Sequence, residues 1–143
     1  MNVTIEELMT PQVFVAYPDE TLGEVRSRML KEGIHAVPVI DVDEHPIGMV
    51  TSTDLLVDIV SDEMRVSQFP TPKVFTVSRY DEPHIAARVM RNHHLHHLVV
   101  TDEKKVVGIL SAFDLLRLVE EHRDVVKQAP ARSNRRAAKI RKV

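Results

Sequence analysis

The chain has 143 residues, 43% of them hydrophobic, which suits one compact domain or two small units sharing a core. Aromatic residues make up only 4% and both Trp and Cys are absent, so the interior must be aliphatic, and a disulfide framework and thiolate chemistry are excluded. The net charge of −2 hides an asymmetry: residues 127–143 carry seven basic side chains and no acid, whereas the remainder carries 12 basic against 21 acidic.

Thr4-Ile5-Glu6-Glu7 has the spacing of a capping box, with Thr4 at the N-cap and Glu7 three residues on, and predicts a short helix that ends before Pro11. Residues 13–16 read as a brief strand stopped by the turn-forming Pro18-Asp19. Leu22, Val25, Met29 and Leu30 then recur at helical spacing up to Gly33, a good helix stop. Strands are predicted over 37–40 and 47–51, joined by the polar turn 41–46, and a helix over about 53–64 closes the unit.

The same order then returns. A strand over 74–77 leads to a helix opened by Asp81-Glu82-Pro83, where the missing N–H of Pro does no harm. Ile85, Ala86, Val89 and Met90 form its apolar face. Strands follow over 97–100 and 106–111, and Leu115, Leu116, Val119 and Val126 line a last helix. Between the units, residues 67–72 are too short and too apolar for a flexible linker, so the copies are expected to pack on each other.

The repetition holds residue by residue. Thr10-Pro11-Gln12-Val13-Phe14-Val15 falls on Thr71-Pro72-Lys73-Val74-Phe75-Thr76 at an offset of 61, and residues 34–41 fall on 95–102 at the same offset. Ile47-Gly48-Met49-Val50-Thr51-Ser52-Thr53-Asp54-Leu55-Leu56 then falls on Val107-Gly108-Ile109-Leu110-Ser111-Ala112-Phe113-Asp114-Leu115-Leu116 at an offset of 60, after one deletion in a polar turn. In each copy a strand with a Gly open to close approach runs into a hydroxyl residue and an Asp at a helix start, where free N–H groups favour anions.

Two copies of strand-helix-strand-strand-helix, each with the Gly-apolar-apolar-[Thr/Ser]-x-x-Asp motif, resemble a cystathionine-β-synthase (CBS) domain pair, the Bateman module. The resemblance covers residues 1 to 126 and implies an α+β (mixed α/β) fold, tandem β-α-β-β-α repeats packed about a pseudo-twofold axis. It divides the chain into a first repeat at 1–66, a second at 67–126 and a basic tail at 127–143 that is expected to be disordered. It further implies a regulatory module rather than an enzyme, which binds AMP, ADP, ATP or S-adenosylmethionine between the repeats, requires no cofactor, and signals to a partner protein as a homodimer.

Carried over by that resemblance, one cleft joins Thr51, Thr53 and Asp54 to Thr71, Phe75, Leu95, His96, His97 and Val99. The other joins Ser111 and Asp114 to Thr10, Phe14, Ile34, His35, Ala36 and Pro38. An Asp at a helix start can accept two hydrogen bonds from a ribose 2′,3′-diol, each strengthened by its charge. Equally, such an Asp can serve only as a cap for its own helix. Phe113 replaces Thr53 and Val99 replaces Pro38 between copies, so the two clefts are expected to differ in ligand or occupancy.

The run His93-His94-Leu95-His96-His97 invites a metal site, but strand alternation is expected to send His96 and His97 to opposite faces, and no Cys is available. His93 and His94 read as a polar helix end. His35 and His96 occupy equivalent positions, and the family likeness aims them at ligand phosphates; affinity is then expected to fall as pH rises from about 6 to 8, around the reference His pKa.

Four glycines leave no P-loop, and no nucleophile motif or His-Glu-x-x-His run is present, which argues against an enzyme. The basic tail could hold nucleic acid only in a non-specific, salt-dependent way. A dimerisation module with unoccupied clefts is the competing reading. With no apolar run near 18 residues, the chain is expected to be cytoplasmic and free of any membrane partner.

Overall fold

The structure is a computed structural model that describes residues 3–58, 60–71 and 73–121. Val126 and the basic segment 127–143 lie outside the described residues. The elements are α1 (Ile5–Leu8), α2 (Leu22–Glu32), β1 (Ala36–Ile40), β2 (Pro46–Thr51), β3 (Thr76–Ser78), α3 (Pro83–His93), β4 (His97–Asp102), β5 (Lys105–Ser111) and α4 (Ala112–Glu121). Single 3-10 turns at Asp54–Leu56 and Val66–Gln68 complete them. No helix among the described residues is long and apolar enough to cross a membrane.

Each unit builds one small sheet. β1 and β2 pair antiparallel in the first, while in the second β4 pairs antiparallel with β5 and parallel with β3. The strand expected over 13–16 is reduced to a single bridge between Ala16 and Val39. Its counterpart β3 extends because the Arg79 N–H donates to the Thr101 carbonyl at 3.0 Å. Pro18 stands at the position equivalent to Arg79 and has no N–H to continue the ladder.

α2 follows its sequence signals. Thr21 caps it by accepting the Glu24 N–H at 3.2 Å, Leu22, Val25 and Met29 are buried, and Gly33 ends it at φ 64°. Leu30 instead points to solvent. The helix expected over 53–64 is one 3-10 turn, because the free N–H groups at the start of α2 claim the chain that follows. Leu22 and Gly23 donate to the carbonyls of Met64 and Asp62 at 2.8 and 3.0 Å, which ties the segment after that turn to the first turn of α2.

Two aliphatic cores result, and each borrows from the other unit. Ile5 and Leu8 of α1 lie in the second core with Val77, Ala86, Met90, Leu98, Val100 and Leu110. Val66 and Phe69, at the same repeat positions where the second copy begins rather than inside the first unit, lie in the first core with Leu22, Val25, Val37 and Val50. The capping box expected at Thr4 and Glu7 is not formed by side chains. Tertiary carbonyls take its place: Ile5 donates to Asp81 O at 2.9 Å and Glu6 to Arg79 O at 3.0 Å. An ion pair from Arg79 to Glu6 and another to Asp102 at 3.3 Å close the joint.

The motif glycines serve this crossing. Main-chain bonds of 3.0 and 3.1 Å join Thr10 to Ile109. A Cβ on Gly108 would lie 3.1 Å from the Thr10 carbonyl and closer still to Met9, and one on Gly48 would meet Thr71 at 2.8 Å. It is the protein's own N-terminal and linker segments, rather than a ligand, that approach these positions.

α4 departs from expectation in one respect. Leu115 and Leu118 pack on the second core, but Leu116 and Val119 face solvent together with Phe113, as does Leu56 at the position equivalent to Leu116.

Candidate functional site

The local turn of each repeat explains the shared motif. The Thr51 N–H donates to Asp54 Oδ2 at 2.8 Å, and the Asp54 N–H returns to Thr51 Oγ1 at 3.3 Å. Ser111 and Asp114 make the same reciprocal pair at 2.8 and 3.1 Å. The second pair is a capping box closed by Asp at the start of α4 and the first is the same reciprocal turn ahead of a 3-10 turn, so a structural role for these carboxylates is real. Only Oδ2 is used, however, and Oδ1 of each has no hydrogen-bond partner among the described residues. The turn is tied to its own unit by the donation of Ser52 N–H to His35 O at 2.9 Å and, in the second copy, of Ala112 N–H to His96 O at 2.8 Å.

At the seam between units these turns face cavities. The first, about 530 Å³, brings Thr51, Thr53 and Asp54 of one repeat together with Phe75, Leu95, His96 and His97 of the other. Met49, Ser52, Lys73, Val74, His94 and His35 also line it. The second, about 280 Å³, joins Ser111 and Asp114 to Thr10, Phe14, Ile34, His35 and Ala36, with Gln12, Val13, Gly33, Ile109 and His97 beside them.

Three expected residues are not brought to the cavities. Val99 and Pro38 are fully buried in the inner strands β4 and β1, and Thr71 packs against Gly48 rather than lining the first cavity. The inner strand thus contributes only its first residue to a cleft, because the following side chains are enclosed by the sheet and the helices. The exposed Phe113 does not line the second cavity either.

The histidines are arranged differently from a simple alternation. β4 begins at His97, so His96 lies before the strand, and both rings line the first cavity. His35 and His97 each line both cavities, which a one-cleft-per-residue assignment missed; their place beside the pseudo-twofold, between equivalent motifs, is the signal that pointed there. His93 stacks on the Phe75 ring at 4.1 Å between centroids, so one face of that ring is already covered. Among the described residues no group of three or more His, Asp or Glu side chains stands in metal-binding geometry.

Burial pushes the His97 pKa below its ordinary 6.5, and the neighbouring His96 and His35 push it the same way, against an opposing pull from Asp114. The folded state therefore resists protonation of His97. The stability contributed by the neutral ring is fully present above pH 6.5 and is lost as pH falls from there through the depressed value. For an anionic ligand the sign reverses, since the ligand favours the charged ring. The window in which affinity falls with rising pH thus starts lower than the reference His pKa. Groups facing this ring are His35, His96 and Asp114, with His94, Lys73 and Asp54 on the first cavity. Calorimetry in buffers of different ionisation enthalpy is expected to read proton uptake when a nucleotide phosphate binds at pH 7 and tighter binding toward pH 6; binding without proton uptake would remove His97 from contact with the phosphate.

The family model of the CBS domain matches residues 5–61 and 66–121. The chain is 28% identical over 123 residues to the uncharacterized protein MK0525 of Methanopyrus kandleri, covering 82% of this chain and 63% of that protein. It spans less than two thirds of the length of the first curated relatives it matches. Among solved structures, the CBS domain pair of protein MJ0100 in complex with 5′-methylthioadenosine and S-adenosyl-L-methionine superposes with a TM-score of 0.76 at 20% identity, covering 85% of this chain and 98% of that one. CBSX2 in complex with AMP superposes with a TM-score of 0.73 at 22% identity, covering 82% and 97%. With both repeats matched in register, the chain belongs to the CBS domain family, as a tandem pair.

Proposed function

We infer that the chain is a regulatory module that binds an adenosine-containing ligand, such as AMP, ADP, ATP or S-adenosylmethionine, between its repeats and transmits the occupancy to a partner. The observation that carries this reading is the twofold recurrence of an aspartate whose Oδ1 has no hydrogen-bond partner among the described residues and which lines a seam cavity. A ribose diol would donate to that oxygen, the base would lie along Leu95 or Ile34, and a phosphate would reach the histidines near the pseudo-twofold. The adenosine compounds held by the MJ0100 pair and CBSX2 support the choice of ligand class. A cytoplasmic location fits the cysteine-free sequence.

In this reading the chain regulates and does not catalyse. A ligand that touches both repeats favours one angle between them, by no more than its difference in affinity for the two arrangements. Leu56, Phe113, Leu116 and Val119, left exposed on one chain, support a homodimer that covers them and passes the change on. The same exposed side chains favour a second reading, a dimerisation module whose clefts stay empty.

A thermal-shift screen with adenine nucleotides and S-adenosylmethionine separates the two. Ligand at 100 times its Kd adds about 2.7 kcal/mol, which for a chain of this size raises Tm by about 10 °C. No shift with any of these compounds would leave only the dimerisation reading.

A further inference from the structure

The two clefts are lined by equivalent positions of the two repeats, so each serves as the other's control. Where the second cleft has Gln12 and Gly33, the first has Lys73 and His94, while His97, the counterpart of Ala36, lines both. Both differences add a group that carries or can accept a proton. His94 is the more telling of them. Gly33 ends α2 in the left-handed region at φ 64°, which glycine adopts freely, and His94 ends α3 in the same conformation at φ 53°. A residue with a side chain is held there against its conformational preference, and His94 lines the cavity. Lys73 is exposed, with its ammonium 5.7 Å from the centroid of Phe75, another residue that lines the cavity.

We propose that the clefts are specialised: the first takes a phosphate-bearing nucleotide and the second an uncharged nucleoside. This rests on the adenosine-ligand reading given above and names which chemistry goes where. The first cleft sets Lys73, His94 and His96 against the single carboxylate of Asp54. Beside the hydroxyls of Thr10 and Ser111, the second has the Gln12 amide, the Asp114 carboxylate and the residues His35 and His97, which it shares with the first. A phosphate seated in the first cleft draws those shared rings toward itself. An anion in the second would then meet Asp114 without a cation of its own. The second cavity is also about 280 Å³ against about 530 Å³, which leaves less room beyond a nucleoside.

Equilibrium dialysis of the full chain with AMP and with adenosine tests this. The expected result is two adenosines per chain but one AMP, with AMP-saturated protein still taking up one adenosine. Lys73→Gln should weaken AMP binding about tenfold and leave adenosine unchanged, as for loss of one charge-assisted contact. His94→Gly should also weaken AMP binding while raising the unfolding temperature, since it relieves the left-handed residue; a merely structural role would raise stability alone. Gln12→Lys should admit a second AMP. Two independent AMP sites of equal affinity, or AMP binding unchanged in both Lys73→Gln and His94→Gly, would overturn the specialisation and leave the adenosine reading standing. Binding of neither compound would remove both.

Discussion

Ile5→Ala is expected to lower the stability of the chain by about 3 kcal/mol, within the range for large-to-small changes at a fully enclosed aliphatic site. Ile5 has no exposed surface, and it anchors a four-residue helix that could not persist by itself. The loss is expected in the second unit, although Ile5 belongs to the first. α1 packs beside Val77, Leu98 and Leu110, hydrogen-bonds to Asp81 and Arg79, and continues into the Thr10 to Ile109 pairing at the edge of β5. Urea unfolding gives the magnitude. Native-state hydrogen exchange gives the location, with protection lost over β3, β4 and β5 before β1 and β2. Greater loss in β1 and β2 would contradict the crossed packing. Thr10 and Ile109 also line the second cleft, so the same variant should impair that cleft more than the first.

Asp54→Asn is expected to reduce nucleotide affinity about 10- to 100-fold while changing stability by less than about 0.5 kcal/mol. The separation follows from the two oxygens of the carboxylate. Asn can keep a carbonyl where Oδ2 accepts the Thr51 N–H, so the turn survives. Its amide nitrogen then replaces the unbonded Oδ1, and a donor cannot receive a ribose hydroxyl. Asp54→Ala removes the turn bond as well and should cost about 1 kcal/mol of stability in addition. Asp114→Asn should act on the ligand of the second cleft, so the two Asn variants weaken binding unequally. Titration calorimetry beside thermal unfolding reads both quantities, and unchanged affinity in both Asn variants would confine these aspartates to capping.

Much of the fold was legible because the chain states it twice. Two copies at offsets of 61 and 60 gave the order of elements and the α+β class, and local chemistry gave the best-defined boundaries. Thr21, Gly33 and Pro83 act within one turn of their own helix and need nothing from the rest of the protein. The elements that failed are those whose hydrogen bonds go elsewhere. The helix over 53–64 yields to the demand of α2 for Met64 and Asp62, and the Thr4 cap yields to Arg79 and Asp81.

The candidate site divides in the same way. The motif ending in Asp54 and in Asp114 is a local turn, so its residues could be named from spacing. Val99 and Pro38 could not be excluded from spacing, since which strand residue is enclosed depends on what packs over it. The sequence by itself determined a twice-built α+β pair with a hydroxyl and an aspartate at each turn, because these depend on contacts three or four residues long. Only the tertiary structure decided that α1 completes the far core, that His35 and His97 wall both clefts, and that Lys73 and His94 line just one of them. Each of those facts depends on one repeat meeting the other, and a repeat carries no information about which copy a segment will pack against.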